Sequence, residues 1–184
     1  MQLLFIFIIF STLSGCAPHS YEADRLAQYR ASVKPTIFQR KSTFDISEYA
    51  NFQASGSAKL SGEAFLKTRG GDVRYGAGSQ ILLIPATAYA REFVEQDLVR
   101  MKKEIEPPLD HRLYDIIRST QADSKGKFIF SNIPGGTYIL YTSITWEVPQ
   151  FSRTLGSYSS STGGPVWQEI TVQDGEQRLI ILTR

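Results

Sequence analysis

Thr120-Gln121-Ala122-Asp123-Ser124-Lys125-Gly126-Lys127-Phe128-Ile129-Phe130-Ser131-Asn132-Ile133-Pro134-Gly135-Gly136-Thr137-Tyr138-Ile139-Leu140 is the stretch that decides the fold of this chain. Asp123 is placed to hydrogen-bond the turn backbone ahead of it, and Gly126 to take the positive φ that closes a hairpin. Phe128 and Phe130 then share one face of a strand, because side chains alternate with a period of two. Ile133-Pro134-Gly135-Gly136 predicts a second corner, with Pro134 fixing φ and a glycine supplying the left-handed position. Beyond it Tyr138, Leu140, Thr142, Ile144 and Trp146 fall on one face of the following strand.

Working outward, the chain from about Ala58 consists of short apolar runs punctuated by glycine, the pattern of an all-β sandwich or barrel. Ala58 to Lys67 predicts a first strand and Arg69-Gly70-Gly71-Asp72 a turn. Gln80-Ile81-Leu82-Leu83-Ile84-Pro85 is too short for a helix and suits a buried strand. Arg112 to Gln121 predicts the next strand, and Pro165 to Val172 and Gln177 to Leu182 the last two. Between the second and third strands, Tyr89, Phe93, Val94, Leu98, Met101 and Ile105 recur at spacings of three and four. This predicts an amphipathic helix over about 88–106, stopped by Pro107-Pro108 and covering an edge or face of the sandwich, or docking a partner. Pro149 to Gly164, rich in Gly and Ser, reads as a long mobile connection. Phe151, Tyr158 and Trp167 are the candidate binding residues in and beside it, since loops of this length carry function disproportionately.

The order of turn Asp, Gly, Phe-x-Phe, Ile-Pro-x-Gly and Tyr-x-Leu resembles the carboxypeptidase regulatory-like domain family. Ser61-Gly62-Glu63 and Ile81 to Pro85 extend the resemblance backward, and the last two strands extend it more loosely forward. It implies a seven-stranded, Greek-key, transthyretin-like (prealbumin-like) sandwich, a folding aid, spacer or interaction surface with no catalytic residues of its own. Transthyretin-like folds also include a hydrolase of a purine-breakdown intermediate, recognised by a terminal Tyr-Arg-Gly-Ser signature. Here Ile181-Leu182-Thr183-Arg184 stands in that place.

At the other end Leu3 to Phe10 reads LLFIFIIF, too short for the roughly 20 residues that cross a bilayer and of the length of a signal-peptide core. Leu13-Ser14-Gly15-Cys16 follows and resembles the lipobox of bacterial lipoproteins, although Met1-Gln2 carries no Lys or Arg ahead of the apolar run. The resemblance implies that Leu13, Ser14 and Gly15 are read by the signal peptidase, that residues 1–15 are removed, and that Cys16, the only cysteine, carries the lipid (diacylglyceryl, with palmitate-type acyl chains). An uncleaved anchor over about Leu3 to Ala17, or a plain secretory signal, are the alternatives. Two or more acyl chains anchor stably where one does not. Ala17, in the place where an aspartate tends to retain such proteins in the inner membrane, points to the outer membrane facing the periplasm. Residues 16–57 form the lipidated N-terminus and tether, either free or packed along the domain, with Tyr21 to Ser32 favouring helix and Pro35 ending it. The sandwich occupies 58–184.

The charge excludes other classes. Twenty basic and 18 acidic residues leave a formal net +2 with no basic stripe, so nucleic acid is not an expected partner. One cysteine and two histidines, His19 and His111, offer no cysteine-based zinc site, and no metal or cofactor is expected. No phosphate loop or Gly-x-Ser-x-Gly occurs. Asp110-His111 are neighbours whose side chains diverge on a strand, so they do not form a dyad, and His111 reads as a solvated loop residue. The expectation is a non-enzymatic, lipid-anchored envelope protein, a structural or protein-interaction module with envelope proteins as partners. The alternative is a small-ligand or glycan binder using Tyr158 and Trp167.

Overall fold

Strand β2 (Ala58–Lys67) alternates buried and more exposed residues along its whole length, as a strand with one face on a core must. The computed structural model describes residues 24, 25, 28, 37–153 and 156–184. In chain order the strands are β1 (Phe38–Gln39), β2, β3 (Val73–Tyr75), β4 (Gln80–Pro85), β5 (Ile105–Glu106), β6 (Arg118–Gln121), β7 (Lys127–Ile133), β8 (Gly136–Ser152), β9 (Gly156–Val172) and β10 (Gln177–Leu182). The short helices are α1 (Ala50–Gln53), preceded by a 3-10 turn at Ile46–Tyr49, α2 (Ala88–Phe93) and α3 (Arg112–Ile116).

β2 pairs in parallel with β10, and antiparallel with β7 and, at its far end, β3. The second sheet runs β6-β4-β8-β9. Leu60, Phe128, Phe130, Ile133 and Leu182 of the first sheet pack with Ile81, Leu83, Tyr138, Leu140, Val166 and Ile170 of the second, which makes the molecule a mostly-β sandwich. The β6–β7 turn forms as its residues require: Asp123 Oδ1 accepts from the N–H groups of Lys125 and Lys127 at 2.8 and 2.9 Å, and Gly126 has φ +74°. At the next corner the left-handed residue is Asn132, φ +55°, and neither Gly135 nor Gly136 has positive φ. Gly136 is instead required for space, since a Cβ there would lie 2.6 Å from the Phe52 ring.

β4 buries both of its faces. Ile81 and Leu83 enter the sandwich core, while Ile84 and, across the β4–β8 pairing, Ile139 and Tyr141 face a third layer. That layer is built from Tyr89, Ala90, Phe93 and Val94, with Leu113 and Ile116 of α3 and the fully buried Tyr49. The helix therefore covers a face. It ends at Val99, well short of Glu106: α2 passes into a π-helical turn over Val94–Val99, and Met101, with φ +48°, reverses the chain before the prolines are reached. Met101 is exposed, and Ile105 lies on β5.

Three further expectations are corrected. Arg112–Ile116 is helical, and only Arg118–Gln121 is strand, because Leu113 and Ile116 turn inward at a helical spacing of three. The compact unit runs Ile37–Arg184, so the domain begins before Ala58. β1 pairs with β5, Phe44 stacks on Tyr49 at 5.2 Å and meets Tyr89 edge-on at 5.5 Å, and Arg40 reaches Asp97 at 3.1 Å. Of the residues before Ile37, Asp24, Arg25 and Gln28 are helical. Finally, Pro149–Gly164 is mostly strand: β8 and β9 pair without a break from Gly136↔Val172 to Ser152↔Gly156. β4 pairs with β8 only up to Tyr141, and the distal part continues as a two-stranded ribbon. Where the ribbon leaves the sandwich, Gly163 has φ +109° and a Cβ there would lie 2.1 Å from the Ile144 carbonyl oxygen, so no other residue fits without rearrangement.

Candidate functional site

On β9, Trp167 and Glu169 are two positions apart and therefore share a face. They stand opposite Tyr141 and Ile139 of β8, the latter buried. This is the sheet face that carries the helical layer, and it leaves a cleft of about 480 Å³ between β9 and the helix, within the usual size range of small-ligand sites. Arg91, Val94 and Glu95 reach it from α2 and its π-helical extension, Val99 and Arg100 from the end of that extension. Spacings of three to five residues put these on one side of the helix. π-helical turns are uncommon and recur at functional sites.

Ile139, Val94 and Val99 give the cleft an apolar floor, and Trp167, 48% exposed, presents its ring to solvent. The polar rim is made of two ion pairs. Arg91 Nε and Nη2 donate to Glu169 Oε2 and Oε1 at 2.9 and 2.7 Å, a two-point contact across the cleft. Arg100 and Glu95 pair at 2.7 Å. The Arg91 hydrogen bonds hold the Glu169 carboxyl below its ordinary pKa, and the same bonds raise the Arg91 guanidinium further. A carboxylate shifted this way is a poor proton donor near neutral pH. The cleft is thus equipped to stack and hydrogen-bond a ligand.

The expected binding residues do not come together. Trp167 lies at the cleft, but Tyr158 is nine positions away on β9, about 30 Å at about 3.3 Å per residue and on the opposite face. Phe151, 76% exposed, pairs with Ser157 near the ribbon tip. Leu13, Ser14, Gly15 and Cys16 lie outside the described residues. Asp110 hydrogen-bonds Arg112, not His111, with Nη2 at 2.6 Å from Oδ2, and Arg112 sits 4.7 Å over the Phe44 ring. His111 is exposed at the start of α3. Among the described residues no group of three or more His, Cys, Asp and Glu is placed to hold a metal ion. Of the residues that line the cleft, sequence reasoning singled out Trp167 and not Arg91, Glu95, Arg100 or Glu169. The local signals were a Trp-x-Glu alternation on a strand and an Arg-x3-Glu spacing on a helix, neither of which shows that the two meet.

No family model matches the chain, and no curated protein matches it. Among solved structures it is similar to a crystal structure from Pseudomonas aeruginosa described as a "putative carbohydrate binding protein", with a TM-score of 0.65 and 28% sequence identity over 79% of this chain and 100% of that one.

Proposed function

We propose that this chain is a lipid-anchored saccharide-binding protein of the cell envelope, whose ligand lies on Trp167 in the cleft between β9 and the helical layer. The observation that carries the reading is the exposed indole standing over an apolar floor and beside a two-point Arg91–Glu169 pair. Aromatic rings give sugars an apolar surface to stack on, and paired polar groups at the rim fix orientation. The similarity to a structure described in carbohydrate-binding words supports it. The Glu169 carboxylate, held ionised by the Arg91 hydrogen bonds, supplies an acceptor for a sugar hydroxyl.

The finer architecture belongs to the same proposal. Seven strands, β2, β4 and β6 to β10, in sheets ordered β10-β2-β7 and β6-β4-β8-β9, fit the Greek-key, transthyretin-like arrangement of carboxypeptidase regulatory-like domains. Anchoring through Cys16, with the outer membrane as its location, is supported by Leu13-Ser14-Gly15-Cys16 and Ala17. Labelled fatty acid should enter the wild-type protein and not Cys16→Ser; equal labelling of both would sink the anchor.

The test of binding is saturation-transfer NMR on the full-length protein in a detergent without a sugar headgroup, against a panel of soluble oligosaccharides. Transfer to at least one, lost in Trp167→Ala, is expected. A second reading, an interaction module for envelope proteins, draws on the β8–β9 ribbon with its exposed Phe151. If the module acts through the ribbon, crosslinking in cells should capture a partner that Phe151→Ala loses and Trp167→Ala keeps.

A further inference from the structure

We infer that the cleft selects an uncharged pyranose segment and rejects uronate, sulfated and phosphorylated sugars, an inference that rests on the saccharide reading above. Its charged lining is two arginines and two glutamates, and each arginine is already engaged: Arg91 by Glu169 through two hydrogen bonds, Arg100 by Glu95 at 2.7 Å. The unit charges cancel within the cleft. An incoming carboxylate or phosphate meets no uncompensated cation there and lies beside two carboxylates that repel it, so even where it reaches an unused arginine N–H it lacks the net attraction that an unpaired arginine would give.

A hydroxyl is in the opposite position, because it both donates and accepts. The Arg91 guanidinium keeps N–H groups that its pair with Glu169 does not use, and the Glu169 oxygens keep lone pairs. One guanidinium–carboxylate pair can therefore accept a hydrogen bond from one hydroxyl and donate one to its neighbour without breaking itself. The C–H face of a pyranose ring, which carries no charge, is what Trp167, Val94 and Val99 can cover. The pairing of the rim is thus the specificity device: donors and acceptors are presented, net charge is withheld.

The test compares length-matched neutral oligosaccharides (cello-, malto- and xylo-oligomers) with anionic ones (oligomannuronate and oligogalacturonate) on the full-length protein at low salt. Ligand-observed NMR should detect at least one neutral oligomer and neither anionic one. Glu169→Gln, an exposed isosteric change that frees Arg91, should bring about a tenfold or greater gain in uronate binding that high salt removes. Uronates bound by the wild type as tightly as neutral oligomers, or Glu169→Gln without gain, would overturn the inference and leave the saccharide reading standing. If no member of either set binds, the saccharide reading fails and takes the inference with it. Unchanged thermal melting of the variants separates loss of binding from loss of fold.

Discussion

Arg91, on the helix over the second sheet, and Glu169, on its edge strand β9, meet through two hydrogen bonds of 2.9 and 2.7 Å although 78 residues separate them. The pair fastens the helical layer to β9 beside Trp167 and sets the ionisation of Glu169. Arg91→Ala should let the Glu169 carboxyl return upward toward its ordinary 4.5, read by NMR titration of the side-chain carbon. Both side chains are more than a third exposed, so the same variant should lower stability by less than about 1 kcal/mol in denaturant unfolding.

Asp110 should shape the acid limit of stability. Hydrogen bonds from Arg112 lower its carboxyl from 3.8 to about 2. The folded state then binds fewer protons than the unfolded one, so stability rises with pH across this interval. Its contribution is complete above the ordinary value of 3.8 and is lost as the pH falls toward about 2. Asp110→Asn should flatten the melting temperature against pH between those limits, and an unaltered slope there would contradict the assignment.

Gly62 is the tightest point of the β2 core. A Cβ there would lie 2.5 Å from Phe128 Cζ and 2.6 Å from the Ile180 carbonyl oxygen, which no change of rotamer relieves on the backbone side. Gly62→Ala should cost about 1–3 kcal/mol by overpacking, and Leu140→Ala, at a fully buried position, about 2–5 kcal/mol by leaving a cavity. Phe151→Ala, at an exposed position on the ribbon, should stay within about 0.5 kcal/mol of wild type. Chemical denaturation with unchanged m-values would check all three.

The segment from Ile37 should behave as part of the domain. The Arg40 side chain is wholly buried, bonds Asp97 and the Pro107 carbonyl, and lies 5.2 Å over the Tyr89 ring. Asp97→Ala leaves that cation without its carboxylate and should cost about 3 kcal/mol. Limited proteolysis should cut the variant near Lys41 more readily than the wild type, in which the Glu92 carboxylate accepts from the Lys41 and Ser42 N–H groups at 2.8 Å.

How much was legible in sequence follows from which signals are local. The bounds of β2 and β4 are those read from composition and period, because a run that alternates, or a short apolar run between a Gly-Ser turn and a proline, dictates its own burial. The Asp123–Gly126 turn was equally legible, since its hydrogen bonds close within four residues. The helix was found but overrun: Met101 and Ile105 continue the apolar spacing, and only the left-handed backbone at Met101 ends it. The ribbon was misread because Ser, Gly and Pro argue for a loop wherever no partner strand satisfies the backbone, and each ribbon strand has its partner in the other.

By itself, then, the sequence determined a β-rich domain with its central strands and turns, and a Leu-Ser-Gly-Cys segment that predicts an anchor. Tertiary structure alone decided that residues 37–57 join the domain, that a helical layer covers one face of the second sheet, and that Trp167, Arg91 and Glu169 meet at one cleft. The physical reason is range. Periodicity, propensity and turn chemistry act over a few residues and are written in neighbouring letters. The cleft depends on sheet pairing and layer packing between segments dozens of residues apart, and no short window of sequence contains both sides of it.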